Sequence, residues 1–96
     1  MVLELAIFEV TPGQETAFTT AVQQGKKLLT ETPGCRSLRF TRGVESPSRF
    51  VLLVEWDSVE AHERNFRAGP DFGRWRELVS PYFAGPPVVE HYSDVD

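Results

Sequence analysis

Two stretches of this sequence are apolar on both of their alternating faces, and this constrains the fold more than any other feature. In VLELAIFEV, Val2 to Val10, the side chains of Leu3, Leu5 and Ile7 fall on one side and those of Val2, Ala6, Phe8 and Val10 on the other. In RFVLLVEW, Arg49 to Trp56, Phe50, Leu52, Val54 and Trp56 oppose Val51 and Leu53. Length and β-branched or aromatic content make both of them strands, and a strand with two apolar faces needs two covers. The chain has 96 residues and no Ser/Gly/Pro-rich linker, so residues 1–96 read as one domain. Its own helices supply one cover. The second is expected from another copy of the chain, because a domain this small buries too little surface alone to be amply stable.

The remaining elements fall between these strands. Thr11-Pro12-Gly13-Gln14 places Thr at an N-cap and Pro at the first helical position, and Phe18, Ala21, Val22, Gly25, Leu28 and Leu29 then recur at helical spacing until Pro33-Gly34. Gly25 on the apolar face suggests a close approach of this helix to the sheet. Cys35 to Gly43 alternates Leu38 and Phe40 with Ser37, Arg39 and Thr41, as an edge strand whose Arg36, Arg39 and Arg42 block further pairing. Val88 to Tyr92 is a last short strand. The order is β-α-β-β-α-β with the second helical region split in two. Right-handed crossovers then give an α+β, ferredoxin-like fold, a four-stranded antiparallel sheet with helices on one face, and a homodimer closed across the other face.

Charge and motifs exclude several functions. A net charge of −4 and a pI near 5.1 argue against nucleic acid, which demands clustered Lys and Arg. The single cysteine, Cys35, has no internal disulfide partner and reads as a small buried side chain. No apolar run is long enough for a membrane span or a signal segment, so a cytoplasmic protein with no membrane partner is expected. His62 and His91 lack metal-ligand spacing, so no metal is expected. No glycine-rich phosphate loop supports a nucleotide or flavin, and no serine sits in a nucleophile elbow.

The chemistry concentrates between Glu55 and Leu78, EWDSVEAHERNFRAGPDFGRWREL. Asp57 or Ser58 sits where the strand ends, and Asp57 with Glu60 has capping-box spacing, opening a helix at about Ser58 that carries Val59, His62, Glu63 and Phe66 on one face until Gly69-Pro70. Phe72, Trp75, Leu78 and Val79 then repeat with helical period up to Pro81. Phe66, Phe72 and Trp75 are the expected walls of a cleft suited to a flat aromatic ligand, with Asn65, His62 and His91 as its polar groups. Glu4, Glu9, Glu55 and Glu90 read as solvated or paired strand carboxylates. The sequence leaves open which sheet face lines the cleft, and with it whether Glu4 and His91 lie inside.

From the TPGQE helix start through the PGC strand entry, EWDSVEAHERNF and the Phe72 to Pro81 segment to the closing Pro87 to Tyr92, the chain resembles the antibiotic biosynthesis monooxygenase family of dimeric α+β barrels. Active members of that family oxidise electron-rich hydroxyarenes with O2 and need neither metal nor flavin. The resemblance therefore implies a cofactor-independent monooxygenase acting on a small aromatic polyphenol or quinol, with no cofactor. Asn65 stands where many members carry His, so the expected catalytic pair here is Asn65 and His62, with Trp75, Phe66, Phe72 and His91 binding substrate. Haem-degrading relatives carry Asn, Trp and a haem-ligating His where this chain resembles them with Ala6, Asn65 and Trp75 or Arg76, so haem is not implied. The alternative, supported by the missing His, is a non-catalytic dimeric barrel that binds a small molecule or serves a stress response.

Overall fold

A computed structural model describes residues 1–96. The chain runs β1 (Val2–Glu9), α1 (Glu15–Thr30), β2 (Cys35–Arg42), β3 (Arg49–Trp56), a π-helix (Ala61–Arg67), α2 (Asp71–Val79), one 3-10 turn (Ser80–Tyr82) and β4 (Val88–Tyr92). The four strands form one antiparallel sheet in the order β2-β3-β1-β4. This is the ferredoxin-like βαββαβ arrangement. No helix is long and apolar enough to cross a membrane.

The two doubly apolar strands lie at the centre of the sheet, where both faces have most to lose to water. Ala6, Phe8, Phe50, Leu52, Val54 and Trp56 face the helices and are buried, while Leu3, Leu5, Ile7, Val51 and Leu53 on the opposite face remain half-buried. Beneath α1, Phe18 packs against Phe50 with ring centroids 5.0 Å apart and against Phe8 at 5.6 Å, and Phe40 stacks on Phe50 at 5.4 Å. These tilted and offset contacts add favourable ring electrostatics to the area they bury. They close one end of the space between sheet and helices.

Three local details differ from the sequence expectations. The helix does not start at Thr11-Pro12. Gly13 adopts φ +94°, which a helix cannot continue through, so residues 11 to 14 form a turn and α1 begins at Glu15, whose carboxylate accepts the Gly13 N–H. Of the two cap candidates, Ser58 and not the Asp57–Glu60 capping box serves the next helix, the Ser58 hydroxyl accepting the Ala61 N–H at 3.0 Å while Asp57 is taken up in an ion pair with Arg36. Gly25 marks an approach of helix to helix, not of helix to sheet. A Cβ there would sit 2.9 Å from Trp75 Cε3 and 3.1 Å from Leu78 Cδ1, so the missing side chain is what lets α2 lie against α1.

Candidate active site

Register builds the polar end of the site. Antiparallel pairing sets Glu4 opposite His91 on β4 and opposite Val54 on β3, and directly opposed residues share a face. Glu4 and His91 are therefore neighbours on the helix-covered side, with Trp56 farther along β3. The third group comes from above. The segment after Ser58 winds as a π-helix, with the Ala68 N–H bonded to the Glu63 carbonyl, five residues back, at 2.8 Å. This wider turn directs both His62 and Phe66 onto the sheet and leaves Glu63 and Val59 exposed, although a regular helical face would have grouped all four.

The result is a chain of buried polar groups. Trp56 Nε1 donates to Glu4 Oε1 at 2.9 Å, the same oxygen lies 3.5 Å from His62 Nε2, and His62 Nδ1 is 2.7 Å from His91 Nε2. Glu4 and His62 are 4% and 2% exposed, whereas His91 is half-buried and reaches the solvent side. The His62 ring lies flat on Trp56, centroids 4.9 Å apart at 15°, which fixes the plane in which its nitrogens point. Burial raises the Glu4 carboxyl above its ordinary value against the Trp56 hydrogen bond and the Arg67 charge. Burial first, then the neighbouring His91 and Arg67, lower His62 to about 4, so its ring is neutral near pH 7. His62 Nδ1 and His91 Nε2 share one proton, either nitrogen donating, while Glu4 approaches His62 Nε2 at a distance longer than a direct hydrogen bond.

This polar end opens into a cavity of about 430 Å³ between the sheet, the π-helix and α2. Ala6, Phe8, Leu52, Phe66, Phe72, Trp75, Val79 and Phe83 supply apolar wall, with Phe66 and Phe72 edge to face at 5.6 Å. Arg67 and Arg76 also line it, and they are exposed. The cavity thus uses the helix-covered face of the sheet.

Of the residues singled out from the sequence, His62, Phe66, Phe72 and Trp75 meet on this cavity, and His91 stands behind His62. Asn65 is elsewhere: it is exposed, its amide donates to the Pro33 carbonyl at 2.8 Å, and it does not line the cavity. Of the solvated or paired strand carboxylates expected, Glu4 is paired but buried, which settles that it lies inside the cavity. Glu9 pairs with Arg49, Glu55 accepts from Ser37 and Glu90 accepts from Tyr92, but Glu4 is buried because position 4 shares its strand face with Ala6 and Phe8. That alternation was legible in the sequence and was the signal for it. His62, Glu63 and His91 are the group whose ligand-type atoms come within 4.8 Å of one another. The two imidazole nitrogens, at 2.7 Å, are closer than the ~3.3 Å that two nitrogens keep on a tetrahedral zinc, so the pair as it stands is arranged to share a proton.

With the geometry in place, comparison with known proteins is informative. The sequence pattern described as antibiotic biosynthesis monooxygenase matches residues 1–78. A Bacillus subtilis protein, the uncharacterised YczJ, is 30% identical over 99% of this chain and 100% of its own length. A Bordetella bronchiseptica crystal structure that carries the family's name is 38% identical with a TM-score of 0.93, covering 98% of this chain and 96% of that one. The Streptomyces coelicolor monooxygenase of ActVA-Orf6, solved in complex with nanaomycin D, shares the fold at a TM-score of 0.84 and 23% identity, over 99% of this chain and 88% of that one.

Proposed function

Because the chain belongs to the antibiotic biosynthesis monooxygenase family, we propose that it is a cofactor-independent monooxygenase that oxidises a small aromatic polyphenol or quinol with O2. The observation that carries this reading is the buried Glu4–His62–His91 chain at the inner end of an aromatic-walled cavity. A hydroxyarene entering between Phe66, Phe72 and Trp75 brings its hydroxyl to Glu4 and His62. Glu4, whose affinity for protons burial has raised, is the stronger base of the two. It takes the hydroxyl proton and hands it to His62 Nε2 while Nδ1–H passes a proton to His91, which releases it to solvent. The phenolate left behind is electron-rich enough to reduce O2 directly. The balance closes without a cofactor: a ring C–H ortho or para to the hydroxyl becomes C=O, and one oxygen atom is incorporated. The other leaves as water, one of its hydrogens coming from that carbon and the second returned from solvent in place of the hydroxyl proton released there. The substrate supplies all four electrons. The apolar wall around the inner groups favours this step by limiting competing protonation of the anion.

In this reading Phe66, Phe72 and Trp75 hold the ring. Asn65 acts as a brace, tying the π-helix to the turn before β2 through Pro33. The uncovered apolar face of Leu3, Leu5, Ile7, Val51 and Leu53 joins a second copy of the chain. The fold-level likeness to a Streptomyces nogalater cofactor-independent oxygenase and to the nanaomycin D complex supports the absence of a cofactor and the aromatic ligand.

The test is oxygen uptake by the purified protein, without added cofactor, across hydroquinones, anthrones and naphthols. Uptake above the spontaneous rate should fall by roughly 10²-fold or more in Glu4→Gln. The rival reading, a non-catalytic dimeric binder, is favoured by the placement of Asn65 on the surface, outside the cavity, where many members carry His. It predicts saturable tryptophan quenching with no excess uptake for any compound of the panel.

A further inference from the structure

We infer that the molecule this cavity accepts carries, besides its reactive hydroxyl, an acidic group held on the exposed side of the cavity by Arg67 and Arg76. The inference rests on the hydroxyarene reading above and adds a second point of recognition to it.

Four of the eight arginines, none of them lining the cavity, are engaged elsewhere. Arg36 pairs with Asp57, Arg49 with Glu9 and Arg64 with Glu60, and Arg42 donates to the Pro47 carbonyl. Arg67 and Arg76 line the cavity and form no ion pair or side-chain hydrogen bond within the chain. Their positions are set by aromatic anchors. The Arg67 guanidinium lies 5.2 Å from the Phe72 ring centre, a cation–π contact on the aromatic wall, and Arg76 follows Trp75, which is 6% exposed and locked against α1. Both guanidinium groups sit on the exposed side of a cavity whose inner end is fully buried. Two cations on the exposed side of a largely apolar hollow, neither ion-paired nor hydrogen-bonded within the chain and with Arg67 felt as far in as Glu4, focus a positive potential on whatever enters.

The phenolate does not meet this requirement, because its proton acceptors Glu4 and His62 lie at the buried end. A separate anion does. A planar guanidinium is matched by a carboxylate, which it binds through two parallel N–H···O bonds, and this fixes the orientation of the ring as well as adding affinity. The class is therefore a hydroxyaryl carboxylic acid, its ring between the aromatic walls, its hydroxyl inward and its carboxylate outward. The Arg67 charge, which holds down the proton affinity of both Glu4 and His62, reaches far enough inward to favour ionisation of the hydroxyl too.

Isothermal titration calorimetry of the full chain with 2-naphthol and with 6-hydroxy-2-naphthoic acid separates the two ends. The acid should bind at least ~10-fold more tightly, as charge-assisted hydrogen bonds require. The advantage should shrink as salt rises. In Arg67→Gln/Arg76→Gln, folded by circular dichroism, the affinity for the acid should drop to that for the neutral probe. Equal affinity of the two probes in the unaltered protein, or an acid preference that survives in the double variant, would overturn the inference and leave the hydroxyarene reading standing. Failure of both probes to bind would sink the reading and the inference together.

Discussion

Lowering the pH should unfold this protein through one side chain in particular, His62. In the unfolded chain its imidazole titrates near 6.5, but in the fold it is 2% exposed, lies flat on Trp56 and is lowered to about 4. Between those two values the unfolded state binds the proton and the folded state does not, so stability is lost as pH falls from 6.5 toward 4. A shift of this size corresponds to about 3 kcal/mol when fully expressed, and going from pH 7.5 to 4.5 expresses roughly 2 to 3 kcal/mol of it. Glu4 works the other way. Its raised value makes the folded state the better proton binder above 4.5, which returns stability on the acid side and masks part of the His62 loss. The informative measurement is therefore a cycle in urea at fixed protein concentration: Glu4→Gln and Glu4→Gln/His62→Gln, each at pH 7.5 and 4.5. Acid effects common to both cancel. The single variant should lose about 2 to 3 kcal/mol more than the double variant on acidification. A difference below about 0.5 kcal/mol, smaller than typical error on extrapolated stabilities, would show that His62 titrates normally and that the buried neutral imidazole is wrong.

Other outcomes follow from packing. In Gly25→Ala the new Cβ meets the Trp75 ring at 2.9 Å, so overpacking should outweigh the gain in helix propensity and destabilise by about 1 kcal/mol, with a shift in tryptophan emission. Leu5 and Leu53 pair directly on the uncovered sheet face, so Leu53→Lys should give a monomer by sedimentation where the unaltered chain sediments as a dimer; a monomeric unaltered chain at micromolar concentration would end the sheet-to-sheet proposal. Asn65→Ala removes an exposed hydrogen bond to Pro33 and should cost about 1 kcal/mol of stability while ligand affinity in the cavity stays within about twofold; a tenfold loss of affinity would return Asn65 to the site.

Much of this architecture was legible because the sheet writes itself into the sequence with period two. The ranges of β3 and β4 coincide with expectation, and the split helical region appears where Gly69-Pro70 places it. The site was harder to read for two reasons. A helix of period 3.6 put His62, Glu63 and Phe66 on one face, but the π-turn separates Glu63 from the other two. That extra residue per turn has no reliable mark in local composition, since it depends on what the helix must reach below it. Asn65, one residue from the buried Phe66, therefore faces outward toward Pro33 instead of inward. Glu4 is the second reason. A carboxylate is ordinarily assigned to solvent, and the strand alternation that placed it inside was outweighed by that habit.

The same two departures from local rule are what make the site chemical. A leucine at position 4 would suit the core better than a carboxylate, and a regular helix would satisfy the backbone with less distortion. Both costs fall at one place, where Glu4 meets Trp56, His62 and, through His62, His91. Every polar atom of that cluster that is fully buried has a partner, so the burial is compensated by hydrogen bonding rather than left as strain. A purely structural cluster could achieve this with neutral amides. Two titratable groups whose protonation burial pushes in opposite directions, close to a half-buried histidine, offer what amides cannot, and on the proposed reading they take up a proton at the cavity and pass it toward the surface. Replacing His91 by Gln, which hydrogen-bonds but cannot carry a proton through, should therefore leave ligand affinity near its starting value while slowing oxygen uptake, and the slowed uptake should be restored in part by small imidazole buffers. Equal turnover in His91→Gln, with no response to imidazole, would show that the proton leaves the cavity by another route.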